Sequence, residues 1–174
     1  MVVLSGWRQD DAAARARAFD DPDVERWSRM PFPYTVERAA EGIRRGEERH
    51  RNGELVPFAI RDMSGTLLGG IDLMFRGDGR AELGYAVGAS GRGRGVATRA
   101  VLLVGRWAMD TLGIRRLELP IPVDNSASRR VAERAGYTRE GVLRSFFELR
   151  PGHRVDVVMY ALIAEPSSPQ SPSR

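Results

Sequence analysis

The chain has no cysteine and no lysine. The first absence excludes disulfides, thiolate metal sites and a cysteine nucleophile together. The second excludes a Walker-type phosphate loop, which needs a Gly-Lys-Ser/Thr step. All 27 basic residues are therefore arginine, a bias that GC-rich codon usage explains better than selection for guanidinium chemistry. The two histidines, His50 and His153, are too few for a multi-histidine zinc site, and both read as solvated surface residues; no metal is expected. No apolar run approaches the roughly 18 residues that a membrane span requires. The opening MVVLSGWRQDD has neither the basic region nor the apolar run of a signal peptide, so the expected compartment is the cytoplasm.

What is present is ordinary for a globular protein: 174 residues, 42% hydrophobic and 29% charged. A domain of this size buries roughly 70% of its unfolded surface and needs no staple. The net charge of +4 mildly favours an anionic ligand. The arginines are spread along the chain among acidic neighbours, so nucleic acid is not the expected partner. The tail EPSSPQSPSR, residues 165–174, has no hydrophobe and is expected to be disordered, leaving one domain over 1–164.

Hydrophobic patterning gives the element order. Val2 to Trp7 reads as a strand, and Asp10-Asp11 open a helix through AAARARAF. RMPFPYT, residues 29–35, is a loop because of its two prolines, and Thr35 caps a helix running to about Arg51. LVPFAIRD, TLLGGIDLMF and RAELGYAVG form an antiparallel meander around glycine turns. Val96, Ala100, Leu103 and Trp107 then mark one stripe of a helix from about Gly95 to Leu112. Residues 114–123 alternate as a strand, a second helix runs from about Ser126 to Ala135, and two strands follow around Arg150-Pro-Gly-His153. The order β-α-α-β-β-β-α-β-α-β-β implies an α/β class fold with a mixed sheet and helices on both faces.

The informative segment is Gly91-Arg-Gly-Arg-Gly95, where a strand passes through a turn directly into a helix. Glycines let the backbone turn its N–H groups inward, the helix start adds partial positive charge, and Arg92 and Arg94 stand on the same turn. This is chemistry for a phosphate or pyrophosphate. A Rossmann turn does not fit, because the glycine spacing fails at Val96 and the turn follows a meander. A disordered RGG-type RNA segment would be repeated, and this run is single.

These residues resemble a known superfamily. Arg92-x-x-Gly95-x-Ala97 is similar to the acyl-CoA pyrophosphate signature of the GNAT N-acetyltransferases. Glu82-Leu-Gly-Tyr85 precedes it; Asp124-Asn125-x-x-Ser128, Glu133-Arg-Ala-Gly136-Tyr137, Glu140-Gly141 and Asp156-x-x-Met159-Tyr160 follow in order. Together they look like the RimJ/RimL-like branch, over about residues 2 to 164. The resemblance implies a seven-stranded, mostly antiparallel GNAT sheet, splayed between its fourth and fifth strands to admit acetyl-CoA. Pro120 and Pro122, in the fifth strand, agree with an unpaired edge there, although two prolines depart from the pattern expected.

The resemblance also implies roles. Acetyl-CoA would be the cosubstrate, its pyrophosphate held by turn amides over Arg92, Gly93, Arg94, Gly95, Val96, Ala97 and Thr98, with the Val87 amide serving the oxyanion. Ser128 matches the serine proposed as general acid in RimL-like enzymes, and Asn125 caps its helix and contacts the pantetheine arm. Glu148 lies near where such enzymes place a base. Glu82 is the other candidate, sharing a strand face with Gly84 opposite Leu83 and Tyr85. Trp27, Phe32, Tyr34, Tyr85 and Phe147 are candidates to line the acceptor pocket. The acceptor expected is a protein or peptide α-amine. The alternatives are a small-molecule amine (amino acid, aminoglycoside or polyamine) and a non-catalytic acyl-CoA sensor. Either a monomer or a homodimer is compatible.

Overall fold

The computed structural model describes residues 1–164, so the tail expected to be disordered lies outside the described residues. Seven strands form one sheet: β1 (Val3–Ser5), β2 (Leu55–Arg61), β3 (Leu67–Phe75), β4 (Arg80–Val87), β5 (Arg116–Pro122), β6 (Thr138–Arg150) and β7 (His153–Ile163). Their spatial order is β1-β2-β3-β4-β5-β7-β6, and only the β4–β5 pairing is parallel. The helices are α1 (Ala12–Phe19), α2 (Pro22–Trp27), α3 (Val36–Arg51), α4 (Val96–Leu112) and α5 (Ser126–Arg134). The mixed, mostly antiparallel seven-stranded sheet read from the sequence is therefore present.

One helix was not expected. In α2, Asp21 accepts hydrogen bonds from the amides of Asp23 and Val24, and Pro22 occupies the first helical position, where a missing N–H costs nothing. The buried stripe of α4 also differs from the expected one. It runs through Val96, Ala100, Val101, Val104 and Ala108, while Leu103 is exposed. Steps of four keep a helical stripe on one side, and Leu103 falls a residue short of that row. Trp107 remains half-buried, edge-on to Phe58 with ring centroids 5.5 Å apart.

Two cores flank the sheet. Val96, Ala100, Val104, Leu117, Leu119, Ile121 and Tyr160 belong to the larger one, beneath α4 and α5. Ala16, Phe19, Val24, Tyr34, Ala39 and Ile43 belong to the smaller one, formed by α1, α2 and α3. Among the described residues, no helix is long and apolar enough to cross a membrane.

The feature that positions the site is the short β4–β5 pairing. It covers only Arg80, Ala81 and Glu82 against Arg116, Leu117 and Glu118. Beyond this the two strands part, while β4 stays paired to β3 through Val87 and β5 to β7 through Pro122. The prolines sit where the strands diverge. β5 remains paired to β7 through both, so the ladder donors are the alternate residues and the proline nitrogens lie on the open edge. The Pro122 carbonyl leaves the ladder altogether and accepts from the Asn125 amide at 2.9 Å. The strand is not shortened; its open edge lacks the donors that would close onto β4.

Candidate active site

The open edge of β4 is the counterpart of that donor-poor edge. The Gly88 N–H donates to the Leu68 carbonyl at 2.9 Å, which fixes the phase of the β3–β4 ladder. The N–H groups of Tyr85 and Val87, beyond the last β4–β5 rung at Glu82 and Glu118, therefore point into the wedge rather than toward β3. Beyond Val87 the chain makes a short 3-10 turn, Ala89–Gly91, and enters α4 with Gly93 and Gly95 at φ +70° and +69°. Those angles strain any residue with a side chain, and the glycines permit them. Among the described residues, the amides of 93–98 make no well-formed hydrogen bond to a protein acceptor, and they surround the start of a 17-residue helix. A cavity of about 660 Å³ joins the wedge to this turn and continues beneath α2.

Arg92 does not point its guanidinium at that turn. It pairs with Asp21 and, at 2.9 Å, with Asp23, and its Nε donates to the Val87 carbonyl at 3.2 Å. The guanidinium beside Asp21 holds that carboxyl below the usual carboxylate range. Arg92 thus ties the end of β4 to the start of α2, in addition to lining the cavity. Arg94 turns outward and donates to the Ser90 carbonyl at 3.0 Å. These bonds correct the expectation of two guanidiniums aimed at a phosphate; the amides face the cavity instead.

The remaining expected site residues divide cleanly. Val87, Gly93, Gly95, Val96, Ala97, Thr98, Asn125 and Ser128 all line the cavity. Asn125 is buried and its Oδ1 accepts from the Ser128 amide at 3.0 Å, capping α5. The Ser128 hydroxyl has no partner among the described residues, so its proton is uncommitted. Tyr85 crosses the wedge floor toward the Ser128 carbonyl, and burial pushes its phenol up to about 12, which keeps it protonated. Trp27 and Phe147 line the cavity; Arg29, also in its wall, lies 5.3 Å over the Phe147 ring.

Glu148, Tyr34 and Phe32 lie outside the cavity wall, and Glu82 within it is ion-paired. Glu148 is exposed at the end of β6, outside the cavity wall, and accepts from the Gly152 amide in the β6–β7 turn. The long β6–β7 hairpin carries it past the wedge. Tyr34 is buried in the α1–α3 core, and Phe32 packs on it with ring centroids 6.1 Å apart. Both aromatics are consumed by that core because α2 and the following loop fold inward. Glu82 does reach the cavity wall, but one of its oxygens accepts twice from Arg76, at 2.9 and 3.1 Å.

The structure adds two residues that sequence reasoning missed. Asp72, on β3, lines the cavity with no hydrogen-bond or ion-pair partner among the described residues. Burial pushes its carboxyl up to about 6, with Arg15 and Arg49 pulling the other way. Arg15 of α1 lines the same recess, its guanidinium 4.4 Å from the Trp7 ring centroid. The available signal was a single carboxylate in the otherwise apolar strand LLGGIDLMF.

Comparison with known proteins agrees with this geometry. The Acetyltransferase (GNAT) domain family matches residues 2–138. An uncharacterized N-acetyltransferase of Bacillus licheniformis, p20, is 27% identical over 168 residues, covering 93% of this chain and 92% of its own. Mycobacterium smegmatis RimJ, solved in complex with CoA-disulfide, superposes with a TM-score of 0.85 at 26% identity, over 94% of this chain and 82% of RimJ. The microcin C7 self-immunity acetyltransferase MccE, solved with acetyl-CoA and AMP, shares the fold with a TM-score of 0.84 at 20% identity, over 94% of this chain and 92% of its own. With the family matched over most of its length and a wedge that separates β4 from β5, the chain belongs to the GNAT N-acetyltransferases, with RimJ among its structural relatives.

Proposed function

We propose that the chain moves the acetyl group of acetyl-CoA directly to a primary amine, and that the amine is the α-amine of a protein or peptide. The observation that carries the reading is the wedge itself. One edge offers the inward amides of Tyr85 and Val87, the other has prolines in place of donors, and the wedge opens onto the amides of 93–98. The donor set suits acetyl-CoA: helix-start amides for a pyrophosphate, and a narrow apolar slot beside Leu119 and Ile121 for a pantetheine arm. Bound there, acetyl-CoA supplies an activated thioester carbonyl.

The chain's own residues then do three things. The Val87 or Tyr85 amide donates to the carbonyl oxygen where negative charge develops. Ser128, with Asn125 fixing its helix turn, supplies a proton to the departing sulfur. Trp27, Phe147 and Met30 wall off the acceptor end, where water would compete with the amine. The likeness to a putative ribosomal N-acetyltransferase of Bacillus subtilis, YdaF, 32% identical over 84 residues, supports a protein acceptor over the small-molecule alternatives.

The test is a thermal titration with acetyl-CoA, CoA and ATP, followed by a screen of peptides, amino acids and polyamines for CoA release. At a hundred times Kd, linkage gives about 2.7 kcal/mol, which is a rise of roughly 5–10 °C for a chain of this length. A rise with both CoA species and little with ATP, then release with peptides, is the expected result. No rise with either CoA species overturns the reading.

A further inference from the structure

Asp72 sits on β3 directly opposite Gly84 of β4, one strand inward from the open edge. Side chains at paired positions share a face, so only position 84 stands between the Asp72 carboxylate and the wedge. Position 84 has no side chain; a Cβ there would meet only the flexible Met74 Cε, at 3.2 Å. Gly70, two residues before Asp72 on the same face, is also bare, and its missing Cβ would meet Trp7 at 2.8 Å. The strands themselves thus contribute no side chain at 70 or 84: the Trp7 ring fills the space over Gly70 and the flexible Met74 methyl lies over Gly84, with Phe19, Trp27 and Met30 in the surrounding wall. Arg15 from α1 and Glu82 farther along β4 line this recess, and Arg49 of α3 and the buried Tyr34 are near enough to act on Asp72 electrostatically. None lies within ion-pair or hydrogen-bond distance of the Asp72 carboxylate, and no structural partner explains its burial.

We infer that Asp72, reaching over Gly84, is the catalytic residue that receives the acceptor ammonium and takes its proton. The inference rests on the acetyltransferase reading above. The ammonium R–NH3⁺ gives one proton to the Asp72 carboxylate. The nitrogen lone pair of R–NH2 forms the N–C bond, and the C–S bond breaks with its electron pair going to sulfur. The second proton from nitrogen ends on sulfur through the Ser128 hydroxyl. The products are R–NH–CO–CH3 and CoA–SH, and the proton on Asp72 returns to solvent. A carboxyl that titrates near 6 is about two units below an α-amine and more than four below a lysine amine. The transfer is therefore much less uphill from an α-amine, which agrees with the acceptor class proposed.

The test compares the full chain with Asp72→Asn and Gly84→Val, measuring acetyl-CoA thermal shift, melting temperature and CoA release with a panel of primary amines that includes pentapeptides. In the wild type, kcat/KM at constant ammonium-form peptide rises with pH through about 6, as Asp72 ionises. Asp72→Asn is expected to lose 10²–10⁴ in kcat/KM and that limb of the profile. It should keep the acetyl-CoA shift and melt no lower than the wild type, since it removes a buried charge without a partner. Gly84→Val is expected to raise the acceptor KM at least tenfold while keeping the acetyl-CoA shift. Asp72→Asn within threefold of wild-type turnover, or loss of its acetyl-CoA shift, overturns the role of Asp72 alone. A wild type with no acetyl-CoA shift, or one that acetylates no amine in the panel, overturns the acetyltransferase reading and this inference with it.

Discussion

Arg92→Gln separates two accounts of the arginine in the pyrophosphate turn. In the structure its guanidinium is committed to Asp21 and Asp23, so its work is to tie α2 to the end of β4. The Asp23 carboxylate is 66% exposed and adds little. The Asp21 pair, with side chains 33% and 17% exposed, lies between surface pairs worth under about 1 kcal/mol and buried pairs whose breakage costs about 3–5. About 1–2 kcal/mol is the expected loss, or ~2–8 °C in Tm for this length. The loss depends on pH with a definite sign. Arg92 depresses the folded Asp21 carboxyl, so its stabilisation is complete above the unfolded value of about 3.9 and fades as pH falls through the depressed folded value. The gap between wild type and variant should therefore be full at pH 7 and close in acid. The assay is paired thermal melts across pH, with acetyl-CoA affinity measured on both proteins. If Arg92 bonded a phosphate directly, glutamine would instead cost a charge-assisted hydrogen bond, about 1.5–3 kcal/mol of affinity. An unchanged Tm with affinity 10- to 100-fold weaker would refute the bracing account.

Two further substitutions probe the rest of the site. Asn125→Ala removes the α5 cap, and about 1 kcal/mol of stability should go with it. Because the same turn presents the Ser128 hydroxyl, kcat should fall in parallel, which steady-state kinetics and melts measure together. Glu148→Gln should leave kcat within twofold of wild type across the pH range, since Glu148 lies outside the cavity wall; a larger loss would return it to the list of bases.

Much of the fold was legible because its signals are local. The apolar run LVPFAIR between turns and the alternation in RLELPIP mark strands, Thr35 and Asn125 mark helix starts, and Gly113 and Gly136 end periodic segments at positive φ. The glycine turn at 91–95 announced its chemistry in the same way, since positive φ and a following helix are consequences of neighbouring residues. α2 was missed although Asp21-Pro22 carried an N-cap signal, because six residues are too few to show a stripe.

What the sequence by itself determined is therefore the element order apart from α2, the glycine turn before α4 and the family. Each depends on contacts within a few residues, or on motifs whose order along the chain is the signal. Tertiary structure alone decided where side chains go once distant strands meet. It paired Arg92 with Asp21, 71 residues away, and drew Tyr34 into a core. It carried Glu148 beyond the wedge and set Asp72 opposite a bare Gly84. Strand register and helix docking are set by burial summed over the whole sheet, and one segment of sequence does not encode its partner's position.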